Sequence, residues 1–289
     1  MSAAASTAAC PAQAWLNGTV EVTDGHLAYR RTGSRGPALV LSHGLTDNGL
    51  CWSRTAQALC GDYDVVMLDA RGHGESSRMA PGLPHDPGRD LALAIAGLGL
   101  EALIVMGHSV GASATAAFAN LHTDRVTKVI LEDPPFLPEI GPFEAQQRRE
   151  VFRRQIIELQ SLSDEAITAF GRKTSPLWHE DEFPAWTQGK RQVDPEAVPV
   201  RMLPWQASID RITAPTLLLY GEAERGGLVT PAIAREAMQI NPHIRAVQIE
   251  GAGHNIRREN FEGFLAAVHA FLTEGQTLKN TGEAIRGEQ

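Results

Sequence analysis

The chain has 289 residues, 43% of them hydrophobic and 21% charged, a length and balance that suit one domain plus an insertion, or two domains, with a sizeable core. A formal net charge of −8 with no run of Lys or Arg disfavours nucleic acid as a partner, because phosphate contacts need a basic footprint. Three loosely spaced cysteines, Cys10, Cys51 and Cys60, give neither a disulfide framework nor a zinc pattern. No other ligand cluster has metal spacing, so no metal or other cofactor is expected.

In chain order, residues 1–17 read as a disordered leader. They are rich in Ala and Ser and lack the basic start and continuous apolar stretch of a signal peptide. No stretch approaches the length of a membrane span, and a reduced cytoplasm is the expected setting. Thr19–Val22 and His26–Arg30 flank Asp24-Gly25, a hairpin signal. A pattern then repeats: a short apolar run, a Gly-rich loop, a helical stretch. The runs are Ala38–Leu41, Val65–Leu68, Leu103–Met106, Val129–Leu131, Thr216–Tyr220 and Ala246–Ile249. They are nearly continuously apolar, as are strands covered on both faces of a parallel sheet. Helices are predicted at Trp52–Leu59, Asp90–Leu98, Val110–Leu121, Pro231–Ile240 and Glu259–Leu272. This alternation implies an α/β fold with a doubly wound, mostly parallel sheet.

The alternation breaks once. Residues 134–210 show no convincing strand, but have helical stretches at Phe143–Leu159 and Asp164–Phe170. We read the segment as an inserted helical cap between core halves 18–133 and 211–272. Trp178, Trp186 and Trp205 argue against a loose loop, since disordered segments are poor in aromatics. Residues 273–289 read as a polar tail.

Gly107-His108-Ser109-Val110-Gly111 matches G-x-S-x-G. The bare pattern is weak, but it follows the run Leu103–Met106 and opens an Ala-rich helix. That strand–turn–helix setting makes a nucleophile elbow, in which a tight turn pushes the Ser hydroxyl out at the carboxyl edge of the sheet. A Ser hydroxyl needs a base near neutrality. Of ten His, His254 sits in Gly251-Ala252-Gly253-His254-Asn255, after the last predicted strand and among small neighbours. His43, His73 and His108, each in a glycine motif beside the sheet edge, read as supporting or structural.

These pieces resemble the α/β-hydrolase superfamily, in its capped serine esterase and lactonase branch. The matching motifs are His43-Gly44, Asp69-Ala70-Arg71-Gly72-His73-Gly74-Glu75-Ser76, the Ser109 elbow, Pro215 with Thr216–Gly221, and Gly251–His254, in the family's order over residues 18–272. The resemblance implies that Ser109 is the nucleophile and His254 its base, with the backbone N–H groups of Leu45 and Val110 as the oxyanion hole. It leaves the third triad member open. Glu224, three residues after Gly221, holds the usual chain position. Asp133, directly after the sixth strand, has the usual side chain in a less usual place, and Glu222 is a third choice. Chain position favours Glu224.

The implied activity is cleavage of a carboxylic ester or lactone of a small, largely apolar substrate, with no nucleic-acid or membrane partner. Phe136, Trp178, Trp186 and Trp205 are candidates for lining its pocket. Epoxide hydrolases and haloalkane dehalogenases share the fold but use Asp where this chain has Ser109. Alternatives within the fold are a carbon–carbon bond hydrolase, with Arg153, Arg154 or Arg172 on a substrate carboxylate, a cofactor-free haloperoxidase, and a small-molecule receptor that retains the triad.

Overall fold

The computed structural model describes residues 15–79, 86–198 and 204–274. Two strands, β1 (Leu16–Val22) and β2 (Gly25–Arg31), pair antiparallel about Asp24-Gly25, where both turn residues take positive φ. Six more follow: β3 (Ala38–Ser42), β4 (Asp64–Leu68), β5 (Leu103–His108), β6 (Val126–Glu132), β7 (Thr216–Tyr220) and β8 (Ile244–Gln248). The sheet order is β1-β2-β4-β3-β5-β6-β7-β8, and every pairing from β4 to β8 is parallel. β4 and β5 are buried at every position, which is why their sequences carry no alternation.

Successive strand residues point to opposite faces and build two cores. Val40, Val66, Val105, Val129 and Leu218 pack against α2 (Pro87–Gly97), α3 (Val110–Leu121) and α7 (Pro231–Ile240). Leu41, Val65, Met67, Met106 and Leu219 pack on the other face against α1 (Ser53–Leu59) and α9 (Phe261–Thr273). Each such side chain contributes about 1.5–3 kcal/mol when fully buried. The sheet's carboxyl edge is thereby a rigid platform, and the loops leaving β3, β5, β6 and β8 share it.

Some boundaries differ from expectation. β6 is longer than Val129–Leu131, since Val126 and the polar Lys128 pair with β5, the register shifting past Thr127. β8 covers Ile244–Gln248 instead of Ala246–Ile249, and its register is set by β7. β1 begins at Leu16, inside the expected leader; residues 1–14 lie outside the described residues, as do 275–289 of the expected tail.

Between β6 and β7 the described residues form α4 (Pro142–Gln160), α5 (Asp164–Thr174) and α6 (Glu182–Gln192), two short 3-10 turns, and no strand. Ser163 caps α5 by accepting from Ala166 N–H. This insertion has small cores of its own. Ile167, Phe183 and Trp186 pack with Trp178, while Ile156, Val193, Ala197 and Val198 pack with Leu45 and Met79 of the main body. Among the described residues no helix is long and apolar enough to cross a membrane.

Candidate active site

Ser109 lies between β5 and α3 with φ 55° and ψ −125°, a conformation that costs roughly 1–3 kcal/mol for a non-glycine residue. The surrounding chain enforces it. A Cβ on Gly107 would run into Gly111 O, and one on Gly111 into the carbonyls of Ser42 and His43, so both positions must be glycine for the turn to close. The strain places the hydroxyl above the sheet edge.

His254 leaves β8 toward α8 (Ile256–Glu259). Its Nε2 is 3.1 Å from Ser109 Oγ, and its Nδ1 is 2.7 Å from Asp133 Oδ2. A carboxylate can only accept, so Nδ1 carries the proton and Nε2 offers its lone pair to the hydroxyl. Asp133 is fully buried at φ 41°, and its two oxygens also accept the amides of Leu228 (2.8 Å) and Val229 (3.0 Å).

The preference for Glu224 is therefore corrected. Glu224 is exposed in a short 3-10 turn, and it is Asp133 that bonds His254. The cause is the course of the loop after β7. Glu222 N–H donates to Ala252 O, and its carboxylate accepts from Gly251 N–H and Arg225 Nε, which folds the loop's first half outward. Its second half returns to supply the Leu228 and Val229 amides. The loop brings donors that hold a carboxylate, while the carboxylate itself comes from β6.

Leu45 is second in the turn Gly44–Asp47, closed by Asp47 N–H to Gly44 O at 3.1 Å. Val110 opens α3, where an N–H has no intrahelical acceptor and the helix dipole favours negative charge. Both amides thus belong to elements that flank Ser109.

Two neighbouring histidines are neutral supports. His108 Nε2–H donates to the carbonyl of His254 at 3.0 Å; burial, with Arg257 and His254 nearby, holds its pKa well below the usual value. His43 donates from Nδ1 to Gly44 O at 2.8 Å and accepts Ala70 N–H at 3.0 Å, and burial lowers its pKa too. Both folded-state values are depressed, so the unfolded chain takes up the protons first. The penalty is absent above about pH 6.5 and grows as pH falls. We predict that unfolding stability declines as pH falls from 7.5 to 5.5, each such group adding at most about 1.4 kcal/mol per pH unit to the slope. Denaturant melts at pH 7.5, 6.5 and 5.5 measure this; equal stability at all three would refute buried neutral imidazoles.

Sequence reasoning missed a buried charge cluster beside Asp133 and His254. Arg257 donates its N–H (2.9 Å) and Nη1 (3.0 Å) to Glu132, the residue before Asp133. Asp47 receives Arg257 at 3.2 Å, Arg258 at 3.1 Å and Lys190 at 3.6 Å, while Arg258 also meets Glu182 at 3.2 Å. Burial raises the Asp47 carboxyl, but Arg258, Lys190 and Arg257 outweigh it and hold the group well below the carboxylate range. The available signal was Arg257-Arg258 beside a buried helix and Glu132 ending an apolar strand.

The four aromatics expected in a pocket are used in packing. Phe136 and Trp205 stack at 4.6 Å within the main core, and Trp178 and Trp186 belong to the insertion's core. Trp178 also carries Arg258 and Trp186 carries Lys190 on their ring faces. A cavity of about 70 Å³ lies instead beside the Leu45 turn, lined by apolar Leu45 and Val110 and by Asp69, Arg71, His73 and Asp90, among others. Arg153 and Arg172 form surface pairs with Glu196 and Glu180, and Arg154 is exposed. Among the described residues no three His, Cys, Asp or Glu gather as metal ligands.

Known proteins resemble this chain over most of its length. A family model described as the alpha/beta hydrolase family matches residues 39–267. N-formylmaleamate deformylase of Pseudomonas putida is 27% identical over 84% of this chain and 91% of its own. Pimeloyl-[acyl-carrier protein] methyl ester esterase of Vibrio parahaemolyticus is 28% identical over 83% of this chain and 96% of its own. Among solved structures, E-2-(acetamidomethylene)succinate hydrolase superposes with a TM-score of 0.75 at 22% identity, covering 89% of this chain and 99% of that one.

Proposed function

Because the chain belongs to the alpha/beta hydrolase family, we propose that it is a serine hydrolase that cleaves a carboxylic ester of a small acyl group through an acyl-enzyme on Ser109. The observation that carries this reading is the continuous chain Ser109 Oγ–His254–Asp133, at 3.1 and 2.7 Å. His254 takes the hydroxyl proton as Oγ attacks the carbonyl carbon, then returns it to the leaving alcohol. Water, deprotonated the same way, releases the acid. Asp133 keeps the ring in the needed tautomer and stabilises the imidazolium, and the amides of Leu45 and Val110 receive the oxyanion. The inserted helices act as the cap of the site. The cavity bordered by Leu45 and Val110 is far smaller than the roughly 300–1,000 Å³ of a drug-sized pocket, which supports a small acyl group.

The test is a panel of p-nitrophenyl esters and lactones of graded chain length. Short-chain esters are expected to turn over best, with activity falling on the acid side, as a reaction that needs a general base requires. Turnover unchanged down to pH 4 would exclude a histidine base. Absence of any ester turnover would overturn the ester reading. A second reading, release of an N-acyl group, is favoured by one observation: the deformylase, by its name, acts on an N-formyl compound. Matched N-acyl substrates in the same panel separate the two.

A further inference from the structure

The turn that carries Leu45 is fixed from outside the sheet. A peptide unit is planar and trans, so the direction of Gly44 C=O dictates the opposite direction of Leu45 N–H. Gly44 O is held by Asp47 N–H and by His43 Nδ1–H. The position of Asp47 therefore sets the aim of the Leu45 amide. The Asp47 carboxylate is in turn gripped by Arg257 and Arg258 from α8 and by Lys190 from α6 of the insertion. Lys190 Nζ also donates to the Thr46 carbonyl at 2.9 Å and to its hydroxyl at 2.6 Å. One residue earlier, a Cβ on Gly189 would lie 3.1 Å from both Asp47 Cα and Thr46 O, so α6 rests on the turn's backbone.

Lys190 is a costly way to fill this space. It is buried, and burial lowers its pKa against the opposing pull of Asp47. Its ammonium lies 4.6 Å from the Trp186 ring centroid, and an uncharged chain of equal length would fill this space without desolvating a charge. What the ammonium adds is two directed hydrogen bonds to Thr46 and an ion pair with Asp47 at 3.6 Å, contacts to the turn that an apolar side chain cannot make. Asp47 keeps two arginines without it, so its removal does not strand a buried carboxylate.

We infer that Lys190 is a positioning residue for the oxyanion hole: through Thr46 and Asp47, the inserted helix α6 sets the direction of the Leu45 N–H. This rests on the reading of Leu45 and Val110 as the oxyanion donors of a serine hydrolase. A donor aimed at developing charge contributes about 10²–10³ in rate, and misplacement by about 1 Å costs up to about 10².

The experiment compares wild type with Lys190→Met, using kcat, KM, the acid limb of the pH profile and the inhibition constant of a small alkyl boronic acid, whose adduct on Ser109 places an oxygen in the hole. Lys190→Met is expected to lower kcat roughly tenfold to hundredfold with KM little changed. Boronate affinity should fall by the same factor while the acid limb stays in place, because the base is untouched. Phe183→Leu, which loosens the insertion's core without touching the turn, should lower Tm and leave boronate affinity alone. If Lys190→Met fails to fold, Lys190→Gln, which keeps a donor on a shorter stem, should show the same proportional loss of kcat and boronate affinity at smaller size. The inference is overturned if Lys190 variants lose only Tm, or raise KM alone, or lose kcat without boronate affinity. If wild type neither binds the boronate nor reacts at Ser109, the serine-hydrolase reading itself falls and takes this inference with it.

Discussion

Ser109→Ala is expected to lower turnover about 10⁶-fold, the largest effect of any single substitution in this chain. The change removes only Oγ, whose hydrogen-bond partner is His254 Nε2. His254 stays paired with Asp133, and Asp133 stays paired with Leu228 and Val229. The elbow keeps its shape, because Ala at φ 55° is strained as Ser is, and both clasping glycines remain. The variant should thus melt within a few degrees of wild type while the acyl-enzyme can no longer form. Residual rate over water, about 10³–10⁴-fold, would come from the oxyanion amides and from binding. A fluorophosphonate should add once to wild type and not at all to the variant, read by intact mass. Labelling of Ser109→Ala at another residue, or retention of more than about one per cent of activity, would remove Ser109 from the mechanism.

The elbow was legible in sequence because its constraint is local. Gly107 and Gly111 sit two residues either side of Ser109, and the clashes they avoid involve their own turn and the adjacent strand β3. The parallel strands were legible for a similar reason: β4 and β5 are buried along their whole length, so their composition alone identifies them. His254 could be found because a fixed order of strands places the loop after the last one at the carboxyl edge.

What sequence could not decide is decided by angles and by partners distant in the chain. Asp133 and Glu224 both follow strands that end at the same edge, and chain position ranks them without seeing which way each loop turns. The buried cluster hides for another reason. Asp47, Glu132, Glu182, Lys190, Arg257 and Arg258 look individually like solvated surface charges, the usual place for such residues. Only three-dimensional neighbours show that three cations meet three carboxylates there. The aromatic residues of the insertion misled in the opposite direction. Trp178 and Trp186 are large enough to line a pocket, but a helical insertion with few aliphatic residues needs them for its own core.

Asp133→Asn is expected to cost about 10⁴-fold in turnover, and Glu224→Gln less than about twofold. The amide introduced by Asp133→Asn would keep the size of the carboxylate but offers one acceptor oxygen and one N–H₂ group. In the native site both oxygens accept: Oδ1 from Val229 N–H, and Oδ2 from Leu228 N–H and His254 Nδ1–H. An Asn satisfies one of these amides and turns its N–H₂ toward the other or toward the ring. If it faces the ring, His254 must accept at Nδ1, which moves the proton to Nε2 and leaves no lone pair for Ser109. Some stability is lost as well, since a buried amide N–H is left unpaired at about 1–3 kcal/mol. Activity is therefore compared at a temperature where both proteins are folded. Glu224 faces solvent, and its replacement touches none of these bonds. Rate and mechanism separate here: Asp133→Asn should still react with a fluorophosphonate at Ser109, but slowly and with a rate that rises with pH as hydroxide replaces the lost base. A large loss in Glu224→Gln with near-normal Asp133→Asn would mean that the loop after β7 rearranges in the working enzyme and that the acid comes from there.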